Sequence, residues 1–67
     1  MDREKVGVYL KELRGKRTQS EVAEAVGVTT MAISQYERGE RVPNDEMKVR
    51  LARYFHKTVE EIFFATA

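Results

Sequence analysis

The sequence predicts an all-α fold, a compact bundle of five short helices, and three observations predict it. Apolar residues recur at three- and four-residue spacing along nearly the whole chain. Glycine or proline interrupts that pattern at short intervals, at Gly15, Gly27, Gly39 and Pro43. Threonine or asparagine stands where new periodic segments begin, at Thr18, Thr29, Asn44 and Thr58, as helix N-caps do. No strand alternation, repeat or low-complexity stretch competes. At 67 residues one domain is expected, residues 1–67, with no separate ligand-sensing or catalytic module. A core this small supplies roughly a few kcal/mol of net stability. Cysteine is absent, which excludes disulfides and thiolate metal sites. With no long apolar run and no leader pattern, a soluble cytoplasmic protein without membrane contact is expected.

The first segment spans residues 3–14. Val6, Leu10 and Leu13 share one face, with Tyr9 beside them. Gly15 stops it, and Lys11 and Arg14 suit a helix C-terminus. The second spans 19–26, capped by Thr18, with Glu21 at the position that completes a capping box. Its stripe is Val22, Ala23 and Val26, and Gly27 supplies the left-handed conformation that ends it. The third spans 30–38 behind Thr29, with Ile33 and Tyr36 inward and Ala32 at the edge. Gly39 ends it, and Pro43 delays the next helix. The fourth spans 45–55, capped by Asn44, with Met47, Leu51, Ala52 and Phe55 as its stripe. The fifth spans 59–64, with Thr58 and Glu61 forming a box and Val59, Ile62 and Phe63 inward.

Net charge is only +1, from 12 basic and 11 acidic residues. Its distribution is uneven. Residues 3–17 and 38–57 are rich in arginine and lysine, and the stretch between them is not. On charge alone these are solvated faces. The second and third segments are joined by a turn of about three residues carrying one glycine, which suits a steep crossing better than a hairpin. That leaves Thr30, Met31, Ser34, Gln35 and Arg38 outside, all small, polar or flexible.

At this point the residues match a known pattern. "TQSEVAEAVGVTTMAISQYERGERVP" resembles the helix-turn-helix of the Cro and phage-repressor family, also called the Xre family. The matching elements are Gln19, Val22-Ala23, Val26-Gly27-Val28, Thr29, Ile33, Tyr36 and Glu37-Arg38-Gly39. The likeness extends to "YLKELR" before and "LARYFHKTVEEIFF" after, and so covers nearly the whole chain. It implies a lambda-repressor-like domain of five helices that binds double-stranded DNA and needs no cofactor. Two departures stand out. "RGKRTQ" is about two residues shorter than the usual connection, and His56-Lys57 replaces a pair that commonly contains glycine. His56 is then expected in the left-handed region.

A nine-residue helix is roughly 13 Å long and fits a major groove about 12 Å wide. The resemblance implies base contacts from Thr30, Met31 and Gln35. Gln35 can pair with adenine in two hydrogen bonds, Thr30 can hydrogen-bond or offer its methyl, and Met31 can pack on a thymine methyl. Met31 also has a second reading, as filler at the core edge. Without the resemblance, all three read as a solvated face. Phosphate contacts are expected from Gln19, Lys16, Arg17, Arg38 and Arg41, with Thr29 and Ser34 behind them.

Arg14 and Glu37 each follow an apolar residue by four, so both lie on buried faces and each charge needs a partner. The resemblance implies that they pair with each other. His56 has no neighbouring cysteine or histidine, so no metal role is expected, and Glu60-Glu61 do not face each other on a helix. No nucleophile–base pair or phosphate loop is present, so an enzyme is not expected. Phe63 and Phe64 are adjacent and cannot both point inward; the outward one, with Tyr54, is a candidate dimer contact.

The sequence thus favours a homodimeric transcriptional repressor reading two half-sites. An antitoxin with a toxin partner, a regulator countered by an anti-repressor, and a protein-interaction module on the same scaffold stay open. Co-purification with a second polypeptide favours the antitoxin. The absence of a gel shift on random DNA favours the interaction module.

Overall fold

Asp2 opens the first helix, its Oδ1 accepting the backbone N–H of Glu4 at 3.0 Å and of Lys5 at 3.2 Å. Apolar periodicity carries no sign of this cap. The computed structural model describes residues 1–64, and among them are helices and connecting turns but no strand. The helices are α1 (Arg3–Arg14), α2 (Gln19–Val26), α3 (Thr30–Glu37), α4 (Asp45–Tyr54) and α5 (Glu60–Phe64), the last wound as a π-helix. This is the five-helix, all-α architecture expected. α3 and α4 each stop one residue early, because Arg38 and Phe55 serve as C-caps.

The caps do much of the local work. Thr18, Thr29 and Asn44 each accept a backbone N–H three residues on, at 3.0, 3.1 and 2.8 Å. The box expected at Thr18 is only half made, since Glu21 does not return a bond. The box at Thr58 is complete: Glu61 N–H donates to Thr58 Oγ1 and Thr58 N–H donates to Glu61 Oε1, both at 3.0 Å. Hydrogen bonding from the Thr58 backbone N–H, and next from its hydroxyl, holds the Glu61 carboxyl below its ordinary range. His56 takes φ 57°, the left-handed conformation that its place after α4 requires.

The described residues bury one core. Val6 and Leu10 enter from α1, and Val22, Ala23 and Val26 from α2. Ala32, Ile33 and Tyr36 enter from α3, joined by Met47, Leu51, Ala52, Phe55, Ile62 and Phe63. Ala32, expected at the edge, is buried, because α3 is packed by α1 and α2 together. α4 lies against α2, and α5 against α1. The wide winding of α5 lets two consecutive residues, Ile62 and Phe63, both reach 0% exposure.

Gly7 sets how closely α1 meets α3. A Cβ there would lie 2.4 Å from the Glu37 carbonyl oxygen and 2.6 Å from that of Tyr36. Only glycine permits this approach of helix to helix end. Gly39 extends the same contact, with its Cβ position 3.1 Å from Glu4 Cα.

Candidate nucleic-acid interface

α2 ends at Gly27, whose φ of 77° and ψ of 44° are left-handed. The N–H groups of Gly27 and Val28 both donate to the Ala23 carbonyl at 2.9 Å, which closes the turn. Arg50 of α4 adds a bond to the same turn, its Nη1 donating to the Val26 carbonyl at 3.3 Å and its Nη2 to Glu46 at 2.6 Å. The i,i+4 spacing of Glu46 and Arg50 is legible in the sequence; the reach to Val26 is not. Thr29 then caps α3, so three residues separate the two helices.

α3 buries Ala32, Ile33 and Tyr36 and leaves the rest outside. Thr30 and Arg38 are exposed, Ser34 and Gln35 half-buried. Met31 is 68% exposed, so it does not pack at the core edge. An unbranched apolar side chain therefore stands in solvent on an otherwise polar face.

The far end of α3 is tied down. Arg14 Nε donates to Glu37 Oε2 at 2.6 Å and Nη2 to Oε1 at 3.1 Å. Gln19 Nε2, at the start of α2, donates to Glu37 Oε1 at 3.0 Å. One carboxylate, 5% exposed, joins α1, α2 and α3. The hydrogen bonds to Glu37 raise the Arg14 pKa, despite the opposing effect of burial. Arg14 Nη1 also donates to the Arg17 carbonyl at 2.7 Å, and Arg17 N–H donates back to the Arg14 carbonyl at 3.1 Å. This is how the short connection closes. Gln19 thus has a structural partner beyond its expected phosphate role, and its second Nε2–H stays available.

The basic side chains near α3 differ in what holds them. Arg38 donates through Nε and Nη2 to Glu40, at 2.9 and 3.0 Å, and through Nη1 to Ser34 at 2.7 Å. Hydrogen bonding to Glu40 raises its pKa. A phosphate must compete with that carboxylate. Arg41 instead has its Cζ 5.7 Å from the centre of the Tyr36 ring, and Lys16 and Arg17 are exposed on the connection between α1 and α2.

The three aromatic dimer candidates separate. Phe63 is fully buried in the core, so it is not available to a partner, whereas Phe64 is 51% exposed. Tyr54 is half-buried and meets Phe55 edge to face. Lys48 Nζ lies 5.3 Å from the centre of the Phe64 ring. Among the described residues no three His, Cys, Asp or Glu side chains gather as a metal site. Among them, too, no helix is long and apolar enough to cross a membrane.

Two helices joined by a glycine turn, the second buried on one side and open on the other, define a helix-turn-helix. A helix-turn-helix family model matches residues 10–62, and the chain belongs to that family, in its Xre/Cro-like form. The family comprises DNA-binding regulators, not enzymes. The P22 c2 repressor, solved in complex with a synthetic operator, is 30% identical over 85% of this chain and 89% of its own, with a TM-score of 0.82. The restriction-modification controller protein C.AhdI from Aeromonas hydrophila is 28% identical over 92% of this chain and 97% of its own, at 0.84. The clp gene regulator ClgR from Corynebacterium glutamicum is 26% identical over 92% and 68%, at 0.81. No curated protein is a sequence match to the chain.

Proposed function

We propose that this protein is a sequence-specific DNA-binding repressor of transcription that acts in the cytoplasm as a homodimer. α3 enters the major groove with Thr30, Met31 and Gln35 toward the base edges. The observation that carries this reading is the exposure of Met31, at 68%, at the free end of a helix whose other end is anchored. A methionine in that position gains nothing from the monomer and suits a thymine methyl. Gln35, one turn on, can form a bidentate pair with adenine, so the favoured half-site leans to A·T pairs.

Phosphates are held by Lys16, Arg17, Arg41 and the free N–H of Gln19, with Thr29 and Ser34 at the groove edge. Arg38 joins them at the cost of its bonds to Glu40. Such contacts set the register and make binding salt-dependent, with a log–log slope of about −0.9 per phosphate. Two copies meet through the exposed ring of Phe64, and their α3 helices read half-sites about 34 Å apart.

Selection of bound duplexes from random DNA tests the reading. An enriched palindrome supports it, and Gln35→Ala then relaxes preference at one base position. Equal weakening on all sequences would remove Gln35 from base readout. A salt-independent or absent interaction would overturn the function.

A further inference from the structure

Five arginines near the helix-turn-helix fall into two groups by what holds their guanidinium. Arg14, Arg38 and Arg50 are each paired with a carboxylate, of Glu37, Glu40 and Glu46. Arg17 and Arg41 are held by aromatic rings. Arg17 is the more fully defined. Its Cζ lies 5.2 Å from the centre of the Tyr54 ring and 5.8 Å from that of Phe55. Those rings are 5.0 Å apart at 70°, so they form a corner rather than a flat stack. Among the described residues no carboxylate pairs with Arg17.

We propose that Tyr54, with Phe55 behind it, is a positioning residue: the ring corner holds the Arg17 guanidinium ready to grip a DNA backbone phosphate. This rests on the DNA-binding reading above. The attraction is the ring quadrupole acting on the cation. A carboxylate partner would use the N–H donors that a phosphate needs; a ring face leaves the in-plane donors free. The backbone of Arg17 is fixed as well, because Arg14 Nη1 donates to its carbonyl while Glu37 holds Arg14. The backbone of Arg17 is therefore referred to the recognition helix through Glu37, and its guanidinium to α4, which packs on α2. A surface arginine that would otherwise lose much rotamer freedom on binding is already placed. Tyr54 thereby acts inside the monomer and not across a dimer interface.

The test measures affinity for a random duplex over a range of salt, for the whole chain and three variants. Arg17→Gln flattens the log–log slope by about 0.9 per protomer. Tyr54→Leu changes no charge, yet it weakens binding about two- to fivefold and flattens the slope in the same direction. Tyr54→Phe keeps the ring and restores both. Thermal melting and sedimentation accompany each variant. Tyr54→Leu that melts and sediments like the parent, yet binds like it at every salt, overturns the proposal. Weakening that tracks loss of the dimer overturns it too. Should Tyr54→Leu not fold, Arg17→Gln decides, and an unchanged slope is fatal. A parent chain that does not bind DNA overturns the functional reading and this inference together. A parent that binds steeply, with variants that match it, overturns only the inference.

Discussion

At its C-terminal end α3 meets three other parts of the chain; at its N-terminal end Thr30 and Met31 stand in solvent. Glu37 takes hydrogen bonds from Arg14 and Gln19, and the carbonyls of Tyr36 and Glu37 lie against Gly7. Thr30 and Met31, nearly two turns away, have no comparable support beyond the Thr29 cap. A helix held at both ends by side chains would have Thr30 and Met31 covered. A helix held at neither would lose entropy on reaching DNA. Anchoring one end leaves the other both open and fixed in direction.

The comparison can be broken at the anchored end first. Arg14→Ala leaves Glu37 buried without its charge partner and is expected to cost about 3 kcal/mol, read from urea unfolding. A loss of a few tenths would show that Gln19 and water suffice. Gly7→Ala is next. It gains about 1 kcal/mol of helix propensity, but its Cβ meets backbone at 2.4 Å. The net expectation is a loss of about 2 kcal/mol; an unchanged midpoint would mean that the approach of α1 to α3 is soft.

The free end should respond differently. Thr29→Ala removes one cap and costs about 1 kcal/mol. Met31→Ala should alter the unfolding midpoint by no more than about 0.5 kcal/mol while weakening binding to the selected duplex. Parallel loss of stability and binding would mean that Met31 supports the fold. The smallest effect lies in α5. Because the folded Glu61 pKa is depressed, its box stabilises the protein above the unfolded carboxylate value, about 4.3. That contribution is lost as pH falls through the folded value. Glu61→Gln, which cannot titrate, should flatten this acid dependence of the melting temperature and leave neutral binding intact.

Features set by neighbours in the chain were legible. The helix limits came out within a residue because caps and stops act over three or four positions, as at Thr29 and Gly27. His56 was legible for the same reason: the chain must turn directly after α4. The site was legible in part. The exposed face of α3 follows from where Ile33 and Tyr36 fall. The hold of Gln19 on Glu37, across 18 residues, has no periodic signature. Neither has that of Arg50 on Val26, across 24. Nor does composition reveal that Gly7 sits against the end of α3 rather than merely weakening α1.

By itself the sequence determined where helices start and stop and which side of each is apolar, because local hydrogen bonding and side-chain spacing are short-range. Tertiary structure alone decided that Met31 stands free, and which arginines are paired with acids or stacked on rings. Those outcomes depend on how distant helices cross, and crossing is settled by close packing across the whole core.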